Sequence, residues 1–199
     1  MINGIILAAG ESKRMGSPKA LLAFEGKTFL EHIISVLKRC PLDTITVVLG
    51  ADAKTIRESV NLTQTNVVVN SNYEEGQLSS LIAGLDSLPA RSEAVVVCLV
   101  DMPFVTEQIV SAIVRTFKET HPSIVVPVYE GRRGHPVLFS KSVYEELRNA
   151  PPDQGARWVV NADVSRIRHV EVPDEGVVIT INTPDDYESR LGDASIERL

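Results

Sequence analysis

The stretch Ile5-Ile6-Leu7-Ala8-Ala9-Gly10-Glu11-Ser12-Lys13-Arg14-Met15-Gly16-Ser17-Pro18-Lys19 organises the chain. An apolar run ends abruptly in small residues and passes into a loop holding two glycines and three cations. Apolar residues on both faces of the run suit a buried parallel strand in a sheet covered on both sides. Past its C-terminal end, Ala8, Ala9 and Gly10 leave almost no side chain. A ligand can therefore reach the backbone N–H groups, which in such a turn form an anion cradle. Lys13, Arg14 and Lys19 add positive charge where a polyphosphate would lie. Arg14 can hold a phosphate through two parallel hydrogen bonds, whereas Lys19 acts as a mobile point charge. Solvated cations on a surface loop are the plain alternative, and the better one for a random basic loop. Small residues followed by Arg and Lys directly after a first strand favour a nucleoside-triphosphate loop instead. The spacing fits neither G-x-x-x-x-G-K-[ST] nor G-x-G-x-x-G.

At 199 residues the chain lies in the single-domain range. One domain over 1–191 is expected, with a flexible tail over 192–199. Hydrophobic residues at 44% and charged residues at 23% are those of a soluble globular protein. A net charge of −6 argues against a general nucleic-acid or acidic-membrane surface, while leaving room for a local cationic pocket. The apolar runs are too short to span a bilayer, and Met1-Ile2-Asn3-Gly4 carries no basic leader, so a cytoplasmic location is expected. Cys40 and Cys98, the only cysteines, sit in apolar surroundings and read as buried thiols of a reducing compartment.

After the loop, Thr28 and Glu31 form a capping-box pattern ahead of apolar residues at helical spacing. Short apolar strands at Ile45–Leu49, Asn66–Val69 and Ala94–Val100 alternate with helices opening near Asp52, Gln77 and Thr106. That alternation indicates an α/β three-layer fold with a largely parallel sheet. The rhythm changes after Pro122. Strand-like Ser123–Tyr129 and His135–Phe139 are joined by Glu130-Gly131-Arg132-Arg133-Gly134, an inserted hairpin over about 123–140. Short helices near 141–149 and 154–161, strands at Val164–Val172 and Val177–Ile181, and a short helix from Pro184 complete the reading.

Five further stretches can carry chemistry. In Leu99-Val100-Asp101-Met102-Pro103, a carboxylate stands just past a buried strand, facing the crevice where open α/β sheets bind ligands. One carboxylate plus waters and phosphate oxygens satisfies Mg²⁺. In Ile181-Asn182-Thr183-Pro184-Asp185-Asp186, Asn182 ends a strand, and the two acids read as the first turn of a helix. Gly76, Ser79 and Ser80 lie at a helix start, where free N–H groups favour anions, although the serines suit capping equally. Arg132, Arg133 and His135 sit on the hairpin, with Arg157 in Asp153-Gln154-Gly155-Ala156-Arg157. Solvated arginines and a structural histidine are the plain reading of those residues taken singly.

Leu7 to Lys19 fills every fixed position of L-A-A-G-x-S-x-R-M-G-x-x-K, and so resembles the MobA-like nucleotidyltransferases, in particular the molybdenum cofactor cytidylyltransferases. Leu99–Val105, Gly76–Leu81, Gly131–Val137 and Asp153–Arg157 resemble further motifs of that family in the expected order. The resemblance implies a Rossmann-like (GT-A-like) nucleotidyltransferase fold. It implies Mg²⁺-dependent transfer of CMP from CTP to the phosphate of molybdopterin, with pyrophosphate released. Leu7, Ala8, Ala9, Gly10, Ser12, Arg14, Lys19, Gly76, Ser79 and Ser80 are then expected around the nucleotide, with Arg14, Lys19 and Asp101 catalytic. Asp101 and Asn182 would hold the metal. Arg132, Arg133, His135 and Arg157 would face the acceptor, and a recipient molybdoenzyme is a further expected partner. Where many relatives resemble D-I-D-T-P-E-D, this chain has Thr180 and Asn182, which leaves the metal count open. A transferase with another nucleotide or acceptor, an NAD(P)H-dependent oxidoreductase acting on a pigment, and a non-catalytic cofactor chaperone are the alternatives on the same fold. The intact Asp101 motif and the Arg14/Lys19 loop favour catalysis over binding only, and no redox cysteine pair or flavin motif supports the oxidoreductase.

Overall fold

The computed structural model describes residues 1–196. Strand β1 (Ile2–Ala8), buried along its whole length, leads through the loop into a small antiparallel pair, β2 (Ala23–Phe24) and β3 (Lys27–Thr28). Helix α1 (Phe29–Leu37), β4 (Ile45–Leu49), α2 (Ala53–Ser59), β5 (Asn66–Val69), α3 (Gln77–Asp86), β6 (Ala94–Leu99) and α4 (Glu107–Thr120) continue the alternation. The second part holds β7 (Ile124–Tyr129), β8 (Arg132–Arg133), β9 (Val137–Ser140), α5 (Tyr144–Arg148), α6 (Ala156–Ala162), β10 (Ile167–Glu171) and α7 (Pro184–Ile196).

The main sheet runs β10-β7-β9-β6-β1-β4-β5, with β8 paired to β7. Pairs β6–β1, β1–β4, β4–β5 and β7–β10 are parallel, whereas β9 enters antiparallel between β6 and β7. Alternation along β1 sends Ile6 and Ala8 into a core shared with Leu30 and Ile33 of α1 and Val110 and Ile113 of α4. Ile5 and Leu7 pack on the opposite face with Leu78 and Leu81 of α3, Leu147 of α5 and Val159 of α6. Helices on both faces of one sheet make three layers, which is why the strands read as nearly unbroken apolar runs. Each fully buried Ile or Leu contributes roughly 1.5–3 kcal/mol.

The helix starts follow their local chemistry. The Thr28 hydroxyl accepts from the Glu31 N–H at 3.2 Å, and the Glu31 carboxylate accepts from the Thr28 N–H at 3.0 Å. Thr106 caps α4 through the Ile109 N–H at 3.4 Å. Among the described residues no helix is long and apolar enough to cross a membrane.

Three expectations are corrected. Val177–Ile181 is not a strand: Glu175–Val178 forms a 3-10 turn. The turn packs against β7 and β8, where the Val177 carbonyl accepts from the His135 N–H at 2.8 Å, and Gly176 packs against Phe104. The hairpin turn is Glu130-Gly131 alone, both at positive φ as a two-residue turn requires, so Arg132 and Arg133 lie in strand β8 instead of the turn. Helix α7 runs to Ile196, and residues 197–199 of the tail expected at 192–199 lie outside the described residues. Val164–Arg166 is likewise a 3-10 turn leading into β10.

Candidate functional site

The loop after β1 folds around Ser12. Its φ of 53° is in the left-handed region, and its carbonyl accepts from the N–H groups of Met15 (2.9 Å) and Gly16 (3.2 Å). The Ser12 hydroxyl accepts from the Lys19 N–H at 3.0 Å, closing the loop on itself. Between Gly10 and Lys19, Met15 is the one buried residue, packed in a cluster with Phe29, Ile181 and Leu191. That anchor leaves Gly10, Lys13 and Arg14 at the surface, with Lys13 paired to Glu11 at 2.7 Å. Behind the loop, Gly50 passes so close to Ala9 that a Cβ there would stand 2.5 Å from the Ala9 carbonyl oxygen.

Lys19 turns inward. Its ammonium donates to Asp101 Oδ2 at 3.0 Å and to Asn182 Oδ1 at 2.8 Å, and Arg14 donates to the same Asn182 oxygen at 3.2 Å. The side chain of Lys19 is only 12% exposed and that of Asp101 only 23%, so the pair is poorly screened by water. Asn182 is held by the start of α7. The Asp186 carboxylate accepts from the N–H groups of Asn182 and Thr183, each at 2.9 Å, and the Thr183 hydroxyl accepts from the Asp186 N–H. Those bonds hold the Asp186 carboxyl below its ordinary pKa and make it a helix cap. A carboxylate and an amide oxygen that already surround one cation are a hard-oxygen donor set of the kind Mg²⁺ or Mn²⁺ takes along with water and phosphate oxygens. No cluster of three or more His, Cys, Asp or Glu suited to a metal occurs among the described residues.

A cleft of about 340 Å³ opens over this cation, walled by Ala9, Gly10, Lys19, Gly76, Ser80 and Asp101, with Leu7 at its floor. Ala8, Ser12, Arg14 and Ser79 do not line it. The Ser79 hydroxyl instead donates to the carbonyls of Asn72 and Gly76. Sequence reading passed over Asn70, whose amide donates to Ser79 Oγ (2.9 Å) and Ser80 Oγ (3.0 Å) and whose carbonyl oxygen accepts from the Asn72 N–H. Its position directly after β5 was the available signal, equivalent to that of Asp101 after β6. Tyr73, Glu74 and Gln77, also on the wall, were missed as well.

A second cavity of about 560 Å³ adjoins the first through the shared walls Leu7, Gln77 and Leu99. Arg133, His135 and Arg157 line it; Arg132 is exposed and does not. Arg133 donates from Nε to His169 Nε2 at 3.1 Å, which gives His169, read from sequence as an ordinary strand residue, a partner in this wall. The His135 N–H donates to the Val177 carbonyl at 2.8 Å, an approach that leaves no room for a Cβ on Gly134. The Nδ1 atom of His135 is buried without a hydrogen-bond partner. Burial pushes the imidazole pKa below its usual value, against the opposing pull of Asp101 and the Val97 carbonyl. Cys40 and Cys98 are far from this chemistry in character: both are buried free thiols with raised pKa values, Cys40 pushed up to about 11.

Known proteins carry the same frame. A "probable molybdenum cofactor guanylyltransferase" of Methanosarcina acetivorans is 32% identical over 96% of this chain and 90% of its own length. A "nicotine blue oxidoreductase" of Paenarthrobacter nicotinovorans is 28% identical over 92% of each. The crystal structure of Rv0371c from Mycobacterium tuberculosis superposes with a TM-score of 0.86 at 31% identity, covering 96% of this chain and 97% of that one. Its complex with manganese gives a TM-score of 0.80 at 28% identity, covering 96% and 98%. The model of the MobA-like NTP transferase domain matches residues 4–171. With the glycine loop, the strand-end carboxylate and the three-layer frame in place, this chain belongs to the MobA-like NTP transferase domain family.

Proposed function

We propose that this protein transfers CMP from CTP to the phosphate of a molybdopterin-type acceptor in a Mg²⁺-dependent reaction. An acceptor phosphate oxygen bonds to the α-phosphorus, the bond from that phosphorus to the bridging oxygen breaks, and pyrophosphate leaves. The observation that carries this reading is the cation held between Asp101 and Asn182 beside an exposed backbone loop, in the wall of a cleft that adjoins a second cavity. The molybdenum-cofactor relatives support the acceptor class.

Two anions must meet, and charge builds on the leaving pyrophosphate, so the work is positioning and electrostatic stabilisation, with no protein nucleophile. Bound at Asp101 and Asn182, Mg²⁺ would supply neutralisation of phosphate charge. The Gly10 loop orients the phosphate chain, and Arg14 and Lys19 neutralise its β and γ groups. Gly76 and Ser80 face the nucleoside, with Ser79 behind them. Arg133, His135 and Arg157 face the acceptor, and Arg132 adds charge at the rim. The two buried, unpaired thiols suit a reducing cytoplasm, where a recipient molybdoenzyme would take the product.

The choice of CTP rests on Ala8-Ala9-Gly10, which resembles the cytidylyl branch of the family. The guanylyltransferase names among the relatives favour GTP as a second reading, and the oxidoreductase relative brings NADPH into the same test. Thermal unfolding with CTP, GTP, ATP and NADPH, each with and without Mg²⁺, separates them. A ligand at a hundred times its Kd adds roughly 2.7 kcal/mol. Stabilisation by Mg·CTP, followed by pyrophosphate release on adding molybdopterin, is the expected result. Stabilisation by Mg·GTP alone changes the donor, and a response to NADPH alone overturns the transferase.

A further inference from the structure

Lys19 stands where a divalent cation would have to stand. Its ammonium is 3.0 Å from Asp101 Oδ2 and 2.8 Å from Asn182 Oδ1, the two oxygens that fit a metal. Mg²⁺ binds oxygens at about 2.0–2.1 Å and repels a neighbouring ammonium, so the two cations exclude one another from this pair of oxygens. A second cation, Arg14, already leans on Asn182 Oδ1 at 3.2 Å.

The backbone at Lys19 is anchored, and the ammonium is held only at its tip by Asp101 and Asn182. The Lys19 N–H is tied to Ser12 Oγ, and Lys19–Leu21 forms a 3-10 turn around buried Ala20. The side chain hinges from that anchor on four rotatable bonds, and it forms part of the wall of the 340 Å³ cleft. A phosphate chain entering the cleft offers the ammonium a new set of acceptors.

We propose that Lys19 is a resident counter-cation of the nucleotide-free site. It blocks Asp101 and Asn182 to metal until phosphates draw it away, so that metal and nucleotide bind as a coupled pair. This rests on the nucleotidyltransferase reading. By linkage, whatever factor the nucleotide adds to metal affinity, the metal adds to nucleotide affinity. Lys19 is thus a gate on metal entry as well as a phosphate contact, and free divalent ions compete poorly for the empty enzyme.

Mn²⁺ binding, followed through the loss of the free-ion EPR signal, tests this without any turnover. Without nucleotide, Lys19→Met is expected to bind Mn²⁺ at least about fivefold more tightly than the wild type, within the usual span of site–site coupling. Lys19→Gln repeats the measurement should the Met variant fold poorly. Lys13→Met removes the same charge from a side chain that is 77% exposed and paired to Glu11, and it is expected to leave Mn²⁺ affinity unchanged. Adding Asp101→Asn to Lys19→Met abolishes the gain if the ion sits where proposed. In the wild type, CTP or GTP raises Mn²⁺ affinity, and Lys19→Met loses part of that coupling. Equal Mn²⁺ affinity for wild type and both Lys19 variants, or an equal gain in Lys13→Met, overturns the proposal while leaving the transferase intact, provided the metal–nucleotide complex still binds. Failure of every nucleotide to bind under any metal condition overturns both.

Discussion

The backbone N–H of Ile181 donates to the carbonyl oxygen of Asp101 at 2.8 Å. One bond therefore ties the turn after β6 to the approach to α7, and it brings the side chains of Asp101 and Asn182 onto the same ammonium. The site is a junction between two chain segments that are remote in sequence, and each prediction below probes one support of that junction.

Removing charge at the junction should lower turnover without unfolding the protein. Lys19→Ala and Asp101→Asn are each expected to slow pyrophosphate release on the order of 10²–10³-fold, the usual loss for one electrostatic contact. Unchanged turnover in either variant would remove that residue from the catalytic set. Asn182→Asp adds a second carboxylate, so half-maximal activity should need less Mg²⁺. A titration of rate against Mg²⁺ reads this directly.

Gly134→Ala drives a methyl group into the Val177 carbonyl, against backbone that has little room to give. Overpacking of this kind costs about 1–3 kcal/mol. The same shift pulls on the bond from the His135 N–H to Val177, so KM for the acceptor should rise more than KM for the nucleotide. Denaturant midpoints and the two KM values check the stability and site effects separately.

His135 is half-buried, with its Nδ1 atom out of contact with water, and it holds its proton less readily than a free imidazole. As pH falls through about 6.5, the usual histidine value, the unfolded chain takes up a proton that the folded chain refuses. Folded-state stability thus falls with pH below that point. Burial shifts His32 the same way, so it shares the effect. His135→Asn should narrow the difference in Tm between pH 7.5 and pH 5.5. An unchanged difference would mean the ring is solvated.

Asn70 braces the cleft wall from behind. Asn70→Ala removes the donor to two hydroxyls, one of them on buried Ser80. Leaving buried polar groups unpaired costs roughly 1–3 kcal/mol. Because Ser80 lines the nucleotide cleft, KM for the nucleotide should rise as well, while acceptor KM stays near the wild-type value. An effect on stability alone would make Asn70 purely structural.

Much of the frame was legible along the chain. The apolar runs at Ile5–Ala8, Ile45–Leu49 and Ala94–Leu99, the capping box at Thr28 and Glu31, and the Thr106 cap all appear where composition and spacing put them. Each depends on contacts within a few residues, or on the general need of a doubly covered strand to be apolar on both faces. Val177–Ile181 shows where such reasoning stops. Its apolar pattern suits a strand, but Glu175–Val178 closes as a 3-10 turn, and the Val177 carbonyl is taken by the long-range bond from the His135 N–H. Likewise nothing local distinguishes Arg132 from Arg133. The pleat of β8 and the cavity beside it send only Arg133 to the wall.

By itself, then, the sequence determined the order and type of most elements, the small-residue loop after β1 and the chemical inventory of the site. These follow from short-range bonding and from hydrophobic periodicity. Only the tertiary structure decided that Lys19, Asp101 and Asn182 share one cation position, that Asn70 stands behind Ser80, and that β9 inserts between β6 and β7. Those arrangements depend on which sheet edges remain unpaired and which loops a single long-range hydrogen bond draws together, and no local spacing encodes either.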